Sequence, residues 1–355
     1  MASAKTTLTE LATAVGLVYE PGRAGPLDLD HLEVPGIEGS VWKPAVLPAT
    51  HVGSPDRELL LSALDNGRTF RTKVLGGRRP DQVEWLGAAR SVWTSDIPRD
   101  LVVDGVWFIQ TKYDSTCILN TSPGSLVDDL LVDHSIEARQ SWFEEVALDQ
   151  LQALYAVVRR QLDEPSLPVD VRDLDPGSKA QLKSAMRSAP ATEAEDRAYA
   201  DLCRAVSLET TLRWRHRLDA STKAQRSQML CRMLRIAGGP YWLLGVKRHE
   251  AVRLRVVDTR TWRERFDLRS FHVTDAHAGQ PQVDWRAVIA DRADGTRHVV
   301  EGACELRWSH GRLQGNPECK IQVATPLDRV PGYEPIDGHT PPRSATPSLR
   351  RLDRP

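Results

Sequence analysis

The chain has 355 residues, with 47 Lys and Arg against 48 Asp and Glu, a formal net charge of −1, and 41% hydrophobic residues. That length admits two domains, or one with an elaborate insertion, and the neutral balance excludes a polycation, so any nucleic-acid surface must come from local segregation of charge. Five scattered cysteines without C-x-x-C spacing argue for a reducing compartment and against a zinc site or disulfide framework. The N-terminal stretch lacks a long apolar region, and no window approaches the roughly 18–20 apolar residues of a membrane span, so a cytoplasmic protein without a membrane partner is expected.

Residues 7–17 predict a short amphipathic helix with Leu8, Leu11, Val15 and Leu17 on one side. The next stretch, 20–48, is rich in Pro and Gly and predicts irregular structure with one strand at 39–42. Ser54-Pro55-Asp56-Arg57-Glu58 reads as a helix start, with Ser54 as N-cap and Pro55 in the first position. Leu59, Leu60, Leu61 and Leu64 then supply its buried face. Residues 83–91 carry Glu84 and Trp85 into a small-residue turn through Gly87 and Arg90. We read this as a tight loop, with close approach of a phosphate as the other reading.

The stretch 93–126 carries the densest chemistry. Val102-Val103-Asp104-Gly105-Val106-Trp107-Phe108-Ile109 predicts two short strands around a tight Asp104-Gly105 turn. Gln110 and Lys112 lie two apart on the second strand, so alternation places both on one face. Asp100 lies just ahead of the first strand. An acid, a hairpin, then an acceptor and a lysine on one face is a way to hold a divalent metal beside a cationic group.

Between 125 and 175 twelve acids stand against four bases, and the spacing of Phe143, Val146, Leu151, Leu154, Val157, Val158 and Leu162 predicts a long helix over 142–162 that Pro165 and Pro168 end. Two further helices are expected at about 177–186 and 192–218. Between 205 and 270 the balance reverses to fifteen bases against six acids, with an aromatic set among bases in Arg213-Trp214-Arg215-His216-Arg217. This segment is either a phosphate-binding face or the ionic partner of the acidic helices. Gly238-Gly239-Pro240 switches the chain to strands at 241–246, 251–257, 269–273, 283–290 and 297–307, with an Asp294-Gly295 turn. Glu318-Cys319-Lys320 is a second acid-x-Lys match, with Glu305 or Asp291 as its partner acid. From 331 onward Pro, Gly, Ser and Arg predict a disordered tail.

Residues 98–113 resemble the PD-(D/E)xK nuclease core found in many restriction endonucleases. Pro98-Arg99-Asp100 stands for the PD element and Gln110-Thr111-Lys112 for the (D/E)xK element. The form Ile109-Gln110-Thr111-Lys112-Tyr113 after Asp104-Gly105 looks most like the Mrr-like branch. Two features depart from the pattern: Gln110 is a neutral ligand, and Arg99 intrudes between Pro98 and Asp100.

The resemblance implies an α/β (α+β) protein. A restriction-endonuclease-like mixed sheet flanked by helices would occupy 1–135, a helical region 136–237, a β-rich region 238–333 and the disordered tail 334–355. It implies a metal-dependent endonuclease of restriction or defence type acting on double-stranded DNA. Asp100 and the Gln110 oxygen would hold Mg²⁺, with Asp104 as the other candidate acid; Glu58 on the preceding helix is read first as serving the helix dipole and second as an extra acid. Lys112 would orient the attacking water or offset phosphate charge. Arg213, Arg215, Arg217, His310, Arg312 and Lys320 would contact DNA, Glu318 and Lys320 form the alternative catalytic pair, and a homodimer stays open. Two other readings stand beside this one: a non-catalytic DNA-binding or regulatory protein with a degenerate core, and an enzyme built around His310 and Glu318. No Walker A motif, GxGxxG fingerprint, HExxH or nucleophile elbow occurs, which disfavours nucleotide hydrolysis, dinucleotide redox chemistry and serine hydrolysis.

Overall fold

The computed structural model describes residues 3–20, 27–87, 97–129, 141–247, 250–277, 279–309 and 311–336. The protein is α+β, with one mixed and one antiparallel sheet. The chain forms two compact units, one of Met1–Ser115, Gly239–Val257 and Tyr333–Pro355, the other of Thr116–Gly238 and Asp258–Gly332. Expected divisions after 237 and 333 lie one residue from the observed ones, while the expected β-rich region is itself divided after Val257. The expected core 1–135 ends earlier, because the division falls after Ser115 and the described residues 116–129 belong to unit 2. Of the expected disordered tail 334–355 only 334–336 are described, and they are ordered, with Glu334 and Pro335 in a strand and Ile336 1% exposed.

Unit 1 begins with α1 (Ala4–Val18), α2 (Gly39–Val46) and α3 (Arg57–Lys73). Its strands are β1 (Val83–Trp85), β2 (Leu101–Val103), β3 (Trp107–Tyr113), β5 (Tyr241–Lys247), β6 (Glu250–Val256) and β11 (Tyr333–Pro335), and they lie in that order in one sheet. The first three form an antiparallel meander, β5 runs parallel to β3 from Ile109↔Trp242 to Tyr113↔Val246, and β6 and β11 return antiparallel. Helix α1 packs against α2, α3 and strands β1, β3 and β5. It is therefore buried from Leu8 to Val18 and is not the one-sided helix expected. Thr9 and Thr13 meet that burial by donating their hydroxyls to the carbonyls of Lys5 and Thr9 at 2.8 and 2.7 Å.

The crossing of α1 with α3 is close because both carry glycine there. A Cβ on Gly16 would meet the Leu64 carbonyl oxygen at 2.2 Å, and one on Gly67 would meet that of Thr13 at 2.1 Å. Residues 39–42, expected as a strand, open α2 instead, because Trp42 and Val46 sit one turn apart and both enter the core. Helix α3 starts at Arg57 with Asp56 as N-cap, two residues later than expected; the Ser54 hydroxyl accepts from the Asp56 N–H at 3.4 Å.

Unit 2 holds α4 (Trp142–Leu162), α5 (Pro176–Ser188), α6 (Glu193–Ala220), α7 (Lys223–Met233) and the short α8 (Thr259–Arg265). Its antiparallel sheet orders β4 (Cys117–Thr121), β10 (Pro317–Val323), β9 (Arg297–Trp308), β8 (Pro281–Asp291) and β7 (Phe266–His277). Helix α4 has the expected bounds but is kinked at Ala147 (φ −153°, ψ 48°), and Asp163 in the left-handed conformation (φ 50°) ends it before either proline is reached. Helix α6 packs on α4 and on β7 and β8, where Trp214, Phe271 and Trp285 form an aromatic layer. Among the described residues no helix is long and apolar enough to cross a membrane.

Candidate functional site

The β2–β3 hairpin of unit 1 forms as the apolar run dictates. Asp104 and Gly105 both take positive φ (50° and 69°), and the Val106 N–H closes the turn on the Val103 carbonyl at 3.1 Å. At the open end of the hairpin Asp100 is stitched between two strands. Its N–H donates to the Ile109 carbonyl at 2.7 Å, and its own carbonyl accepts from the Leu86 N–H at 3.0 Å. Asp100 is 3% exposed, and its Oδ2 accepts from the Thr111 N–H at 2.7 Å and the Thr111 hydroxyl at 3.0 Å. The acid of the expected PD element therefore touches the middle residue of the Gln110-Thr111-Lys112 triplet.

Alternation along β3 is as expected. Ile109 and Thr111 are buried, while Gln110 and Lys112 share the opposite, half-buried face. Lys112 lies beside Gly245 in the parallel ladder, where a Cβ would meet the Lys112 carbonyl oxygen at 2.6 Å. Any side chain at 245 would push the two strands apart. Arg99 lays its guanidinium over the Phe108 ring at 5.6 Å, which accounts for a residue that interrupts the expected dipeptide.

Asp104 does not join this group. It sits at the far end of the hairpin, where its carboxylate accepts from the Asp81 N–H at 2.8 Å and the Gln82 N–H at 3.1 Å and pairs with Arg78. Burial pushes its pKa up, but the bonds from Gln82, Arg78 and Asp81 outweigh burial and hold it below the usual carboxylate value. It clamps the turn. Glu58 stands exposed in the first turn of α3.

The buried acid that sequence reasoning missed on a helix is Glu10 of α1, 1% exposed, whose Oε2 accepts from the Trp85 indole N–H at 2.7 Å. Glu10 and Asp100 are thus both tied to the same short segment, one to the Trp85 side chain and the other to the Leu86 backbone. The available signal was an acid, Glu10, set between Leu8 and Leu11 of the apolar side.

The second candidate, in unit 2, is a cross-strand ion network. Glu318 on β10 accepts from Arg307 Nε and from Asn120 Nδ2, both at 3.0 Å, with Lys320 Nζ at 3.9 Å. Glu305, its expected partner acid, accepts from Gln322 at 2.8 Å, and Asp291 accepts from Arg265 at 3.0 Å. The expected DNA-contacting arginines are also engaged. Arg213 spans Glu145 of α4 and Glu209 and lies over the Trp142 ring. Arg215 donates twice to the Val273 carbonyl, at 3.0 and 2.9 Å. Arg312 pairs with Glu195 and Asp196 across the Tyr199 ring. Arg217 is exposed, and His310 and Arg90 lie outside the described residues.

Among the described residues no three His, Cys, Asp or Glu side chains gather as a metal cage. An ion at the hairpin would draw on the Asp100 carboxylate and the Gln110 amide oxygen, which are hard oxygen donors of the kind Mg²⁺ takes. Compared with family models, with curated proteins and with solved structures, the chain matches none.

Proposed function

We propose that unit 1 is the core of a metal-dependent endonuclease of restriction or defence type that acts on double-stranded DNA, with Asp100, Gln110 and Lys112 at its centre. The observation that carries this reading is the pair of hydrogen bonds from Thr111 to the Asp100 carboxylate, which holds an acid against the triplet bearing the amide and the ammonium group. The strand order adds to it: a three-strand antiparallel meander, then β5 parallel to the strand carrying Gln110 and Lys112, with α1 and α3 packed on the sheet. A Mg²⁺ ion held by Asp100 and Gln110 would supply an activated water and a counter-charge for the phosphate. Lys112 would orient the water or offset charge on the transferred phosphate. Five free cysteines accord with action in a reducing cytoplasm.

A second reading is favoured by one specific observation. Asp100 is 3% exposed with two hydrogen bonds already on Oδ2, and the position two before Lys112 is a neutral glutamine. A non-catalytic DNA-binding protein with a degenerate core fits those facts. Incubating supercoiled plasmid with the protein, with and without Mg²⁺ or Mn²⁺, separates the two. Cleavage that requires the metal and vanishes in Lys112→Ala supports the nuclease. Duplex binding without cleavage under any metal moves the protein to the second reading.

A further inference from the structure

Among the described residues of unit 2 the ion pairs follow one pattern in most places: acids equal or outnumber bases. Arg213 faces two acids, Arg312 faces two, and Arg307 with Lys320 faces Glu305 and Glu318. The edge where β7 meets β8 reverses the pattern. There the Asp267 carboxylate receives Lys223 at 2.8 Å, Arg269 at 3.2 Å and Arg292 at 3.4 Å. One strand over, beside the Phe266↔Asp291 pair, Asp291 receives Arg265 at 3.0 Å. Among the described residues four cations, from α7, α8, β7 and the turn after β8, converge on these two acids, with Asp294 of that turn as a further acid whose charge acts on Asp291.

Depth separates the two signs. The Asp267 and Asp291 side chains are 10% and 7% exposed, whereas those of Lys223, Arg265, Arg269 and Arg292 are 53–59% exposed. The carboxylates are sunk and the cations stand in solvent around them. Two further interactions hold the arginines in place: Arg265 lies over the Phe266 ring at 4.9 Å, and Arg292 Nε donates to the Phe266 carbonyl at 3.3 Å. Holding the cations by buried acids removes much of the side-chain entropy that an anion would otherwise have to overcome on binding.

We propose that Lys223, Arg265, Arg269 and Arg292 form a phosphate-backbone docking surface for double-stranded DNA on unit 2. The choice of DNA as the polyanion rests on the reading of unit 1 as a nuclease core; the site itself does not require cleavage. Such a surface contributes affinity without sequence preference, because phosphate contacts position a duplex and leave the bases unread. Arginine suits the task, since its planar fork meets phosphate oxygens in pairs.

The test is binding of a labelled 30-base-pair duplex by fluorescence anisotropy in EDTA, where cleavage cannot occur, across a series of salt concentrations. Wild type should bind with a steep salt dependence. Arg269→Gln with Arg292→Gln should weaken binding at ~0.1 M salt by about tenfold or more and flatten the log–log salt slope by about 2, one for each phosphate no longer neutralised. Arg204→Gln, an exposed arginine of α6 elsewhere on unit 2, should leave affinity and slope unchanged. If the double variant fails to fold, Lys223→Gln alone should flatten the slope by about 1. Equal affinity and slope in wild type and the folded variants overturn the site, and so does stronger binding of single-stranded RNA than of duplex. Lys112→Ala, assayed for cleavage in Mg²⁺ and for binding in EDTA, keeps the two readings apart: weaker binding and a flatter slope in Arg269→Gln with Arg292→Gln uphold this surface whether or not Lys112→Ala loses cleavage.

Discussion

Thr111 gives both its backbone N–H and its hydroxyl to a single oxygen of Asp100, at 2.7 and 3.0 Å, and both residues are buried. The bond pair fastens the start of β2 to the middle of β3 where the ladder would otherwise end. Any group that works on the Gln110 and Lys112 face is held by this fastening, so activity and stability are coupled at Asp100.

That coupling sets the first expectation. Asp100→Ala leaves a buried N–H and a buried hydroxyl without their acceptor, a loss of about 1–3 kcal/mol. Asp100→Asn keeps an oxygen in place and should melt closer to wild type. Thermal unfolding of the three proteins checks the order. Identical melting temperatures would mean that the fastening contributes nothing, and Asp100→Asn is the safer probe of metal-dependent cleavage.

Lys112 is half-buried on the face opposite the buried Ile109 and Thr111, so Lys112→Ala opens no core cavity and should lower the melting temperature less than Asp100→Ala. Cleavage should fall by about 10²–10³, the usual loss for one well-placed electrostatic group. Gln110→Glu adds the commoner acid and should retain metal-dependent cleavage. Normal turnover by purified Lys112→Ala would remove this residue from the proposed mechanism.

Glu318→Ala should preserve cleavage, since its carboxylate is occupied by Arg307, Asn120 and Lys320. Burial pushes the Glu318 pKa up, but the bonds from Asn120 and Arg307 and the Lys320 charge pull it below its ordinary value. A lowered folded pKa means a contribution fully present above the unfolded value of about 4.3 and lost as pH falls through the folded value. Denaturant melts of wild type and Glu318→Ala should therefore converge below about pH 4. A constant gap across the acid range would contradict the assignment.

Arg213→Glu should destabilise the protein without changing the salt slope of DNA binding. It would place a third carboxylate between Glu145 and Glu209 and strip the cation from the Trp142 ring. Each exposed pair is worth about 0.2–1 kcal/mol, so a modest drop in melting temperature is expected. A flattened salt slope in this variant would instead return Arg213 to the DNA surface.

Gly67→Ala should cost about 1–3 kcal/mol, the range for overpacking, because its Cβ would meet the Thr13 carbonyl of the crossing helix at 2.1 Å. Gly238→Ala meets nothing within 4 Å and serves as the control. Equal melting temperatures would mean that α1 and α3 cross less closely than described.

Local pattern alone determined a good deal. The hairpin at Asp104-Gly105, the shared face of Gln110 and Lys112, the bounds of α4 and most of the strands after Gly238 follow from turn chemistry and periodicity, which act over a few residues. The α+β class follows from the same signals. What lay beyond the sequence was decided by partners distant in the chain. Residues 39–42 became helix because Trp42 and Val46 had a core to enter, and α1 is buried all round because α3 and the sheet cover it. The passage out of unit 1 after Ser115 and back at Gly239 pairs β3 with β5 across more than a hundred intervening residues. Charge was the least legible. In sequence Arg213 and Arg215 could be DNA contacts or ionic partners of the acidic helices, and Arg312 a DNA contact; only the tertiary structure shows acids or carbonyls opposite them. Asp267, counted only as an acid, and Asp291, expected beside Glu318, turn out to be the buried anchors of four exposed cations. A charge acts through what lies a few ångströms away in space, and a linear count records only what lies next to it along the chain.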